Sequence, residues 1–195
     1  MGVASTLTGL KNIYYAKMLK DPETAEGDNQ GKTTYDAPVK LGNAISVDIN
    51  PTVEENKLYG DNMAVAVLKK LKEVAITIST TDIPLKDRAI MLGYSQSTVD
   101  GSITVKNEDN APYVALMFEA TTADGGSHYY KFYKGRFAPN QQQIETEGES
   151  INWQTPSMEG TFIARESDGK VYDMIDSAET LSGAANLISG WFTQV

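Results

Sequence analysis

One stretch of the chain, from Ala111 to Phe137, constrains the fold more than any other. Two runs rich in aromatic and β-branched residues flank a short polar segment that contains the pair Gly125-Gly126. Glycine readily adopts the positive φ angles of tight hairpin turns, so the stretch predicts a β-hairpin. Its first run is apolar on both faces from Tyr113 to Phe118, which is typical of a strand covered on both sides. We expect the other strands to pack around this hairpin, with Phe118 and Phe132 as core anchors.

Bulk composition narrows the class of protein. The chain has 195 residues, which is enough for one sizeable domain, and we expect residues 1–195 to form a single one. A net charge of −9 lacks the basic footprint of a nucleic-acid-binding protein, and the absence of cysteine excludes disulfide and thiolate chemistry. Neither a membrane-length apolar run nor a secretory signal is seen, so we expect synthesis in a cytoplasm and no membrane partner.

Alternation of apolar and polar residues predicts strands along most of the chain. The predicted strands lie at 10–18, 44–49, 63–68, 74–80, 102–105, within 151–164 and at 171–175. Pro51 predicts the end of the second strand, because proline cannot donate to a strand ladder. Polar stretches at 20–37, 51–62 and 140–149 are predicted as exposed loops, and the basic patch 69–72 as a solvated turn or a strand edge blunted by lysines.

The clearest helical pattern runs from Asp82 to Gly93. Asp82 is a capping candidate, Pro84 suits the first turn, and Gly93 lies where a terminating glycine is expected. Apolar residues recur on one face, at Leu85, Ala89 and Leu92. A helix of two and a half turns is not stable alone, so it must lie against a sheet.

Together these patterns predict a mainly β (α+β) fold. We expect a β-sandwich or barrel-like domain with one short flanking helix at about 82–93 and long polar loops. The longest exposed loop is predicted at 20–37. The C-terminal segment 166–195 carries the weakest pattern, with a brief strand and a short helix within 178–192.

Catalytic or metal-binding residues are not predicted anywhere. His128 is the only histidine, and a triad or zinc site needs more partners. The segment 27–33 is one residue short of a P-loop, and 93–97 lacks the last glycine of a nucleophile elbow. Acidic segments at 21–23 and 108–110 do not reach the spacing of a calcium loop. No cofactor is expected.

A series of short segments occurs in a fixed order along the chain. They are Gly9–Ala16, Leu58–Asn62, Asp82–Pro84 leading into Met91–Gly93, Pro112–Glu119, Tyr133–Phe137, Thr146–Glu149 before Trp153–Thr155, and Gly160-Thr161. In order and spacing these segments resemble the major tail proteins of long-tailed, non-contractile bacteriophages of Gram-positive hosts. The resemblance covers roughly residues 9–165, whereas the loop 20–37 and the residues after Ala164 match poorly.

The resemblance implies a structural virion protein, the subunit of a tail tube. Such subunits assemble as hexameric rings that stack into the channel for double-stranded DNA, with strands of neighbours joined into one inner β-barrel. The implied partners are further copies of the chain and other tail proteins such as the tape measure and tail terminator, and DNA passes without specific binding. The implied location is the phage tail, assembled in the host cytoplasm.

The resemblance, together with the residues, leads to expectations about which side chains and loops lie at which surface of the tube. Acidic side chains are expected to line the lumen, and the loop at 20–37 or at 51–62 to matter for polymerisation. Surplus tyrosines and lysines within His128–Arg136 are expected to face a neighbouring subunit or the channel. Aromatic residues at 113, 129, 130, 132 and 133 leave an alternative open, because they suit either a sugar-binding platform or cross-strand packing. The alternative function is a non-catalytic β-sandwich module that binds a ligand such as carbohydrate, on another virion or surface assembly.

Overall fold

The computed structural model describes residues 6–21, 33–142, 144, 146, 153 and 155–195, which form mainly antiparallel strands. The elements in chain order are β1 Leu7–Lys20, β2 Thr34–Tyr35, β3 Val39–Lys40, β4 Ala44–Gly60, β5 Met63–Thr80, α1 Leu85–Leu92, β6 Ser95–Gln96, β7 Ile103–Thr104, β8 Val114–Thr122, β9 Ser127–Ala138, β10 Ser157–Ile163, β11 Tyr172–Asp176 and α2 Ala184–Ser189. Nine strands form one sheet in the order β2-β1-β8-β9-β10-β5-β4, with β3 against β1 and β11 against β9, while β6 and β7 form a separate ribbon. The predicted mainly β fold with short helical cover is therefore confirmed.

The hairpin β8–β9 is at the centre of the sheet, as predicted. Leu116 lies opposite Phe132 in its ladder, and β1 pairs along the other edge of β8. Alternate side chains of β8, including Phe118, enter the main hydrophobic core, while Met117 on the opposite face packs under Trp191. The strand is thus covered on both faces, and its second cover comes from the C-terminal end of the same chain.

The sheet curls around the main core so that β1, near one end, approaches β4 at the other end. The backbone N–H of Leu41, just after β3, donates to the carbonyl of Ile13 in β1 at 3.0 Å, and β4 begins three residues later. Inside this curl, the apolar side chains of β5 face the aromatic residues of β9 and β10. Phe132 and Phe162 meet edge to face with ring centroids 5.4 Å apart.

The predicted helix is confirmed at its C-terminal end and corrected at its N-terminal end. Gly93 closes α1 in the left-handed conformation, with φ 76°, and its N–H bonds back into the helix. Asp82 does not cap the helix, because the N-cap position is occupied by Pro84, which makes no side-chain cap bond and precedes the first turn. The helix is fixed to β1 by the Tyr15 hydroxyl, which donates to Asp87 Oδ1 at 2.9 Å.

The buried face of α1 also differs from the predicted one. Ala89 and Leu92 are buried as expected, together with Met91, but Leu85 is 69% exposed. Since Leu85 is the first residue of the helix, it lies beyond the part of α1 that packs on the core.

Two predicted boundaries in the first half of the chain are wrong. Pro51 does not end a strand, because β4 continues through it, with Pro51 opposite Val74. Proline is tolerated there because β4 is the edge strand of the sheet and has no neighbour on its outer side among the described strands. Residues 51–62 are not a loop, because Pro51 to Gly60 belong to β4 and only Asp61 and Asn62 form a turn. The basic patch 69–72 lies within β5, which runs unbroken from Met63 to Thr80, so the predicted turn is wrong and the alternative, a strand edge with lysines, is found.

The remaining predictions have mixed outcomes. Strands predicted at 102–105 and 171–175 correspond to β7 and β11, and the strand within 151–164 corresponds to β10, which starts after Pro156. The short helix predicted within 178–192 is α2. The loop predicted at 20–37 includes β2 at its end, and residues 22–32 lie outside the described part. Most of the loop predicted at 140–149 also lies outside it.

Truncation of a core anchor should lower the stability strongly. Phe118 and Phe132 are 2% and 0% exposed, so replacing either by Ala is expected to lower the free energy of unfolding by ~3–5 kcal/mol. Denaturant unfolding measures the change. Val99→Ala is the control, because Val99 is 95% exposed and its truncation should leave stability nearly unchanged. Equal stability of all three variants would contradict the assigned core.

A glycine in β9 provides a second test of packing. A Cβ atom added to Gly135 would lie 2.4 Å from the ring of Phe162, so Gly135→Ala is expected to cost ~1–3 kcal/mol through overpacking. Gly183→Ala is the matched control, because an added Cβ there meets no atom within 4 Å. Thermal unfolding of both variants checks the contrast, and a neutral Gly135→Ala would mean that β9 and β10 pack more loosely.

Candidate assembly interface

The outer halves of β4 and β5 form a long hairpin that leaves the sheet. We call residues 51–72 the arm. Among the described strands, β10 accompanies β5 only from Val74 to Ser79, and β4 has no second neighbour, so the arm is a ribbon of two strands. Its tip is a two-residue turn in which Asp61 and Asn62 have φ angles of 48° and 62°. This turn matches the right-handed twist of the two strands and lets the ribbon extend without splaying.

The arm exposes large apolar side chains. Leu58, Tyr59 and Leu68 are 65–66% exposed, and Met63 and Val65 are exposed as well. A single two-stranded hairpin is at best marginally stable in water, and contiguous exposed apolar surface usually marks a binding site. The arm therefore has the properties of an interface whose partner is another molecule.

The register of the arm assigns its side chains to two faces, because residues directly opposite each other share a face. The outer face carries Glu54 opposite Lys70, Asn56 opposite Leu68 and Leu58 opposite Ala66. The inner face, continuous with the core side of the sheet, carries Val53 opposite Leu71, Glu55 opposite Lys69 and Lys57 opposite Val67. On the inner face Glu55 bridges two lysines, at 2.9 Å from Lys57 Nζ and 3.2 Å from Lys69 Nζ.

The arm also differs in charge from the rest of the chain. Its four lysines and three carboxylates give the arm a net charge of +1. Since the whole chain has a net charge of −9, the residues outside the arm have a net charge of −10. We call the rest of the chain, residues 1–50 and 73–195, the body, so the arm of one copy and the body of another have net charges of opposite sign. Complementary net charge of this kind favours association between copies.

A second polar feature is a clamp buried between distant parts of the chain. The Nζ atom of Lys134 in β9 donates to Asp21 Oδ2 and to Glu166 Oε1, both at 2.7 Å. Thr33 donates its hydroxyl to Asp21 Oδ1 at 3.1 Å. The clamp thus joins the two residues that flank 22–32 to the segment after β10.

The clamp shifts the pKa values of its charged members in opposite directions. Burial alone would raise the pKa of the Asp21 carboxyl, but hydrogen bonds from Lys134 and the Glu166 N–H, with the lysine charge, hold it below its ordinary value. Burial would lower the pKa of Lys134, but its bonds to Asp21 and Glu166 raise it above the ordinary value. Both shifts favour the ionised pair at neutral pH.

The expectation that His128–Arg136 faces a neighbour or the channel is wrong for its central residues. Lys131, Tyr133 and Lys134 are buried by other segments of the same chain. Lys131 Nζ lies 4.7 Å from the centroid of the Trp191 ring and donates to the Gln194 carbonyl at 2.7 Å. Burial lowers the pKa of Lys131 to about 8. The lysine thus helps to fix the C-terminal end of the chain against β9.

The aromatic residues considered as a sugar-binding platform are packed within the fold. Phe132 is in the main core, and Tyr130 stacks on Phe118 with ring centroids 5.0 Å apart. Tyr129 packs against Trp191, while Tyr113 lies under the guanidinium of Arg136. Cross-strand packing is therefore the arrangement found, and these rings do not form an exposed platform.

The other residues considered for catalysis or metal binding do not form a site within the described part of the chain. His128 Nε2 lies 3.4 Å from Asp176 Oδ2, an ion pair only when the histidine is protonated. Gly93 ends α1, and the P-loop-like segment 27–33 lies almost wholly outside the described residues. Across the described ranges, no three His, Asp or Glu side chains are placed to hold a metal ion, and no described helix is long and apolar enough to span a membrane. A cavity of about 750 Å³ beside Pro84 and Arg88 contains no such cluster.

Comparison with models of known protein families gives a match over most of the chain. The family model for phage tail tube proteins matches residues 45–192, which include the arm, the central hairpin and α2. This match extends beyond Ala164, where the resemblance in the sequence ended. No curated protein matches the chain.

The clamp makes an acid-dependent contribution to stability that can be measured. Because the folded pKa of Asp21 is depressed, its contribution is present above the unfolded value of about 3.9 and is lost as the pH falls through the folded value. Asp21→Asn is expected to lower stability by ~1–3 kcal/mol at pH 7, with the difference from the unmodified protein shrinking below about pH 4. Unfolding at pH 7, 5 and 3 measures it. Asp61→Asn at the exposed tip is the control, and a pH-independent difference would contradict the ionised clamp.

Proposed function

Because the chain belongs to the phage tail tube protein family, we propose that it is the subunit that polymerises into the tube of a phage tail. The role is structural and involves no reaction. The proposed assembly consists of hexameric rings stacked along the tube, through which double-stranded DNA passes during infection. The proposed partners are other copies of the chain and further tail proteins such as the tape measure and the tail terminator.

The arm is the observation that carries this proposal. The strand β5 runs through both body and arm, but it buries Val74, Ile76 and Ile78 in the body and exposes the apolar side chains from Met63 to Leu68 in the arm. Two-stranded ribbons with exposed Leu, Val, Met and Tyr side chains are unfavourable in water, so the arm gains most when another copy covers it. We assign ring-to-ring or subunit-to-subunit contact to residues 51–72.

The arm has the reach for this role. A β-strand rises about 3.3 Å per residue, so the ten residues from Pro51 to Gly60 extend about 33 Å from the edge of the body. That distance is comparable to the dimensions of a small domain, so an arm can cross most of a neighbouring copy. Contact with a copy in an adjacent layer is thus sterically within reach.

The acidic balance of the body fits a channel for DNA. With −10 of net charge outside the arm, an assembled wall formed by the body would repel the phosphate backbone and would not retain it. We propose that carboxylates of the body line the lumen. A positive electrostatic potential along the channel of the assembled tube would contradict this part of the proposal.

Removal of the arm should separate folding from assembly. Replacement of residues 53–72 by Asn-Gly leaves Thr52 and Glu73, which are already opposite each other, as the pair that flanks a two-residue turn. The shortened chain is expected to keep nearly the same melting temperature, because most of the removed side chains are exposed. It should form no tubes when concentrated, whereas the unmodified chain and Val99→Ser should form them, as seen by negative-stain microscopy.

Each outcome of this experiment has a clear meaning. Tubes or rings from the unmodified chain support the proposed function, and a chain that stays monomeric at every concentration contradicts it. Normal tubes from the armless variant would leave the tail-tube function standing but would remove the arm from the interface.

A further inference from the structure

The outer face of the ribbon formed by β4 and β5 changes from polar to apolar between the body and the tip of the arm, and the proposed function does not require this change. The outer face of β4 is polar over the body, with Asp48 opposite Thr77, and at the base of the arm, with Thr52 opposite Glu73. Near the tip the same face becomes apolar, with Leu58 opposite Ala66 and Leu68 opposite Asn56. The outer face is therefore polar over the body and apolar at the tip of the arm.

The inner face of the arm is apolar near the tip as well. Val67 lies on this face directly opposite Lys57, and Tyr59 lies nearer the tip; they are 52% and 66% exposed. On both faces, charged residues in the middle of the arm are thus followed by exposed apolar residues towards the tip. Neither apolar group has a partner within the described part of the chain.

One covered face would not explain this pattern. Antiparallel strands with one wet face alternate between apolar and polar side chains, because only one face needs to leave water. The neighbouring residues Val67 and Leu68 point to opposite faces, and both are large, apolar and exposed. Burial of each such side chain contributes about 1.5–3 kcal/mol, so an assembly that left one face wet would forgo half of the available stabilisation.

We propose that both faces of the arm tip are covered by other copies of this chain in the assembly. This inference rests on the proposed function, because it takes the self-assembling tube as the setting. Other copies are the fitting occupant because the arm carries +1 and the body of each copy carries −10. It follows that the tip lies within the wall of the tube and does not line a hydrated channel, since a lumenal face would be wet.

Single-cysteine labelling tests the two faces directly. The chain has no cysteine, so Val67→Cys and Leu68→Cys each introduce one thiol, on the inner and the outer face respectively. In the unassembled protein both thiols should react freely with a maleimide, because both positions are exposed. In tubes both should react at least tenfold more slowly. Each variant serves as its own control through its unassembled form.

The outcomes separate this inference from the proposed function. Tubes in which one thiol stays as reactive as in the unassembled protein overturn the inference and leave the arm as a one-faced interface. Tubes in which both thiols stay reactive overturn the inference and also remove the arm from the interface. If the unmodified chain forms no tubes, the proposed function and this inference fail together.

Charged substitutions at the same positions give a second readout. Val67→Glu and Leu68→Glu are expected to abolish tubes equally while leaving the melting temperature of the subunit unchanged, since each introduces a carboxylate at a buried contact of the assembly only. Val99→Glu makes the same change at an exposed residue outside the arm and should assemble normally. Normal assembly of either arm variant would overturn the inference.

Discussion

The rest of the structure depends on one constraint, which is that β8 must be shielded from water on both faces. Its odd and even side chains belong to two separate hydrophobic clusters, so a single layer of structure could not satisfy it. The curled sheet encloses one face, and Trp191 covers the other, where its indole N–H donates to the Tyr130 carbonyl at 3.2 Å. Both ends of the chain are consequently bound to the same central strand, β1 as its ladder neighbour and the C-terminal segment as its cover.

The body and the arm divide two tasks between parts of the same strands. In the body, β5 is held between β4 and β10 and its apolar residues are fully buried, so local opening there requires loss of the core. In the arm the same strand has one neighbour and exposed side chains, so local opening costs far less free energy. The subunit can therefore keep a fixed body while its arm adapts to the surface that it meets.

Local signals in the sequence were sufficient for the centre of the fold and insufficient for the arm. The central hairpin, the left-handed Gly93 and the buried Phe118 and Phe132 each follow from residues close together in the chain. The sequence does not predict the arm, because Pro51 and the lysines at 69–72 are typical of strand boundaries, although an edge strand tolerates both. The local pattern that indicates it is the apolar residues on either side of Asp61-Asn62. The burial of Lys131 and Lys134 could not be predicted, because Gln194, Asp21 and Glu166 are distant in sequence and meet these lysines only in the folded chain.

The lysines at the base of the arm affect how unassembled subunits associate with each other. An apolar ribbon with open edges is a template for uncontrolled strand addition, and lysines on an edge are a common safeguard against it. Lys69, Lys70 and Lys72 are exposed beside the apolar tip of every subunit before it finds its place. The arm carries a net charge of +1, so two free arms repel each other weakly, whereas an arm and an acidic body attract each other. The exposed lysines therefore disfavour pairing between arms, in the way that lysines protect sheet edges in general.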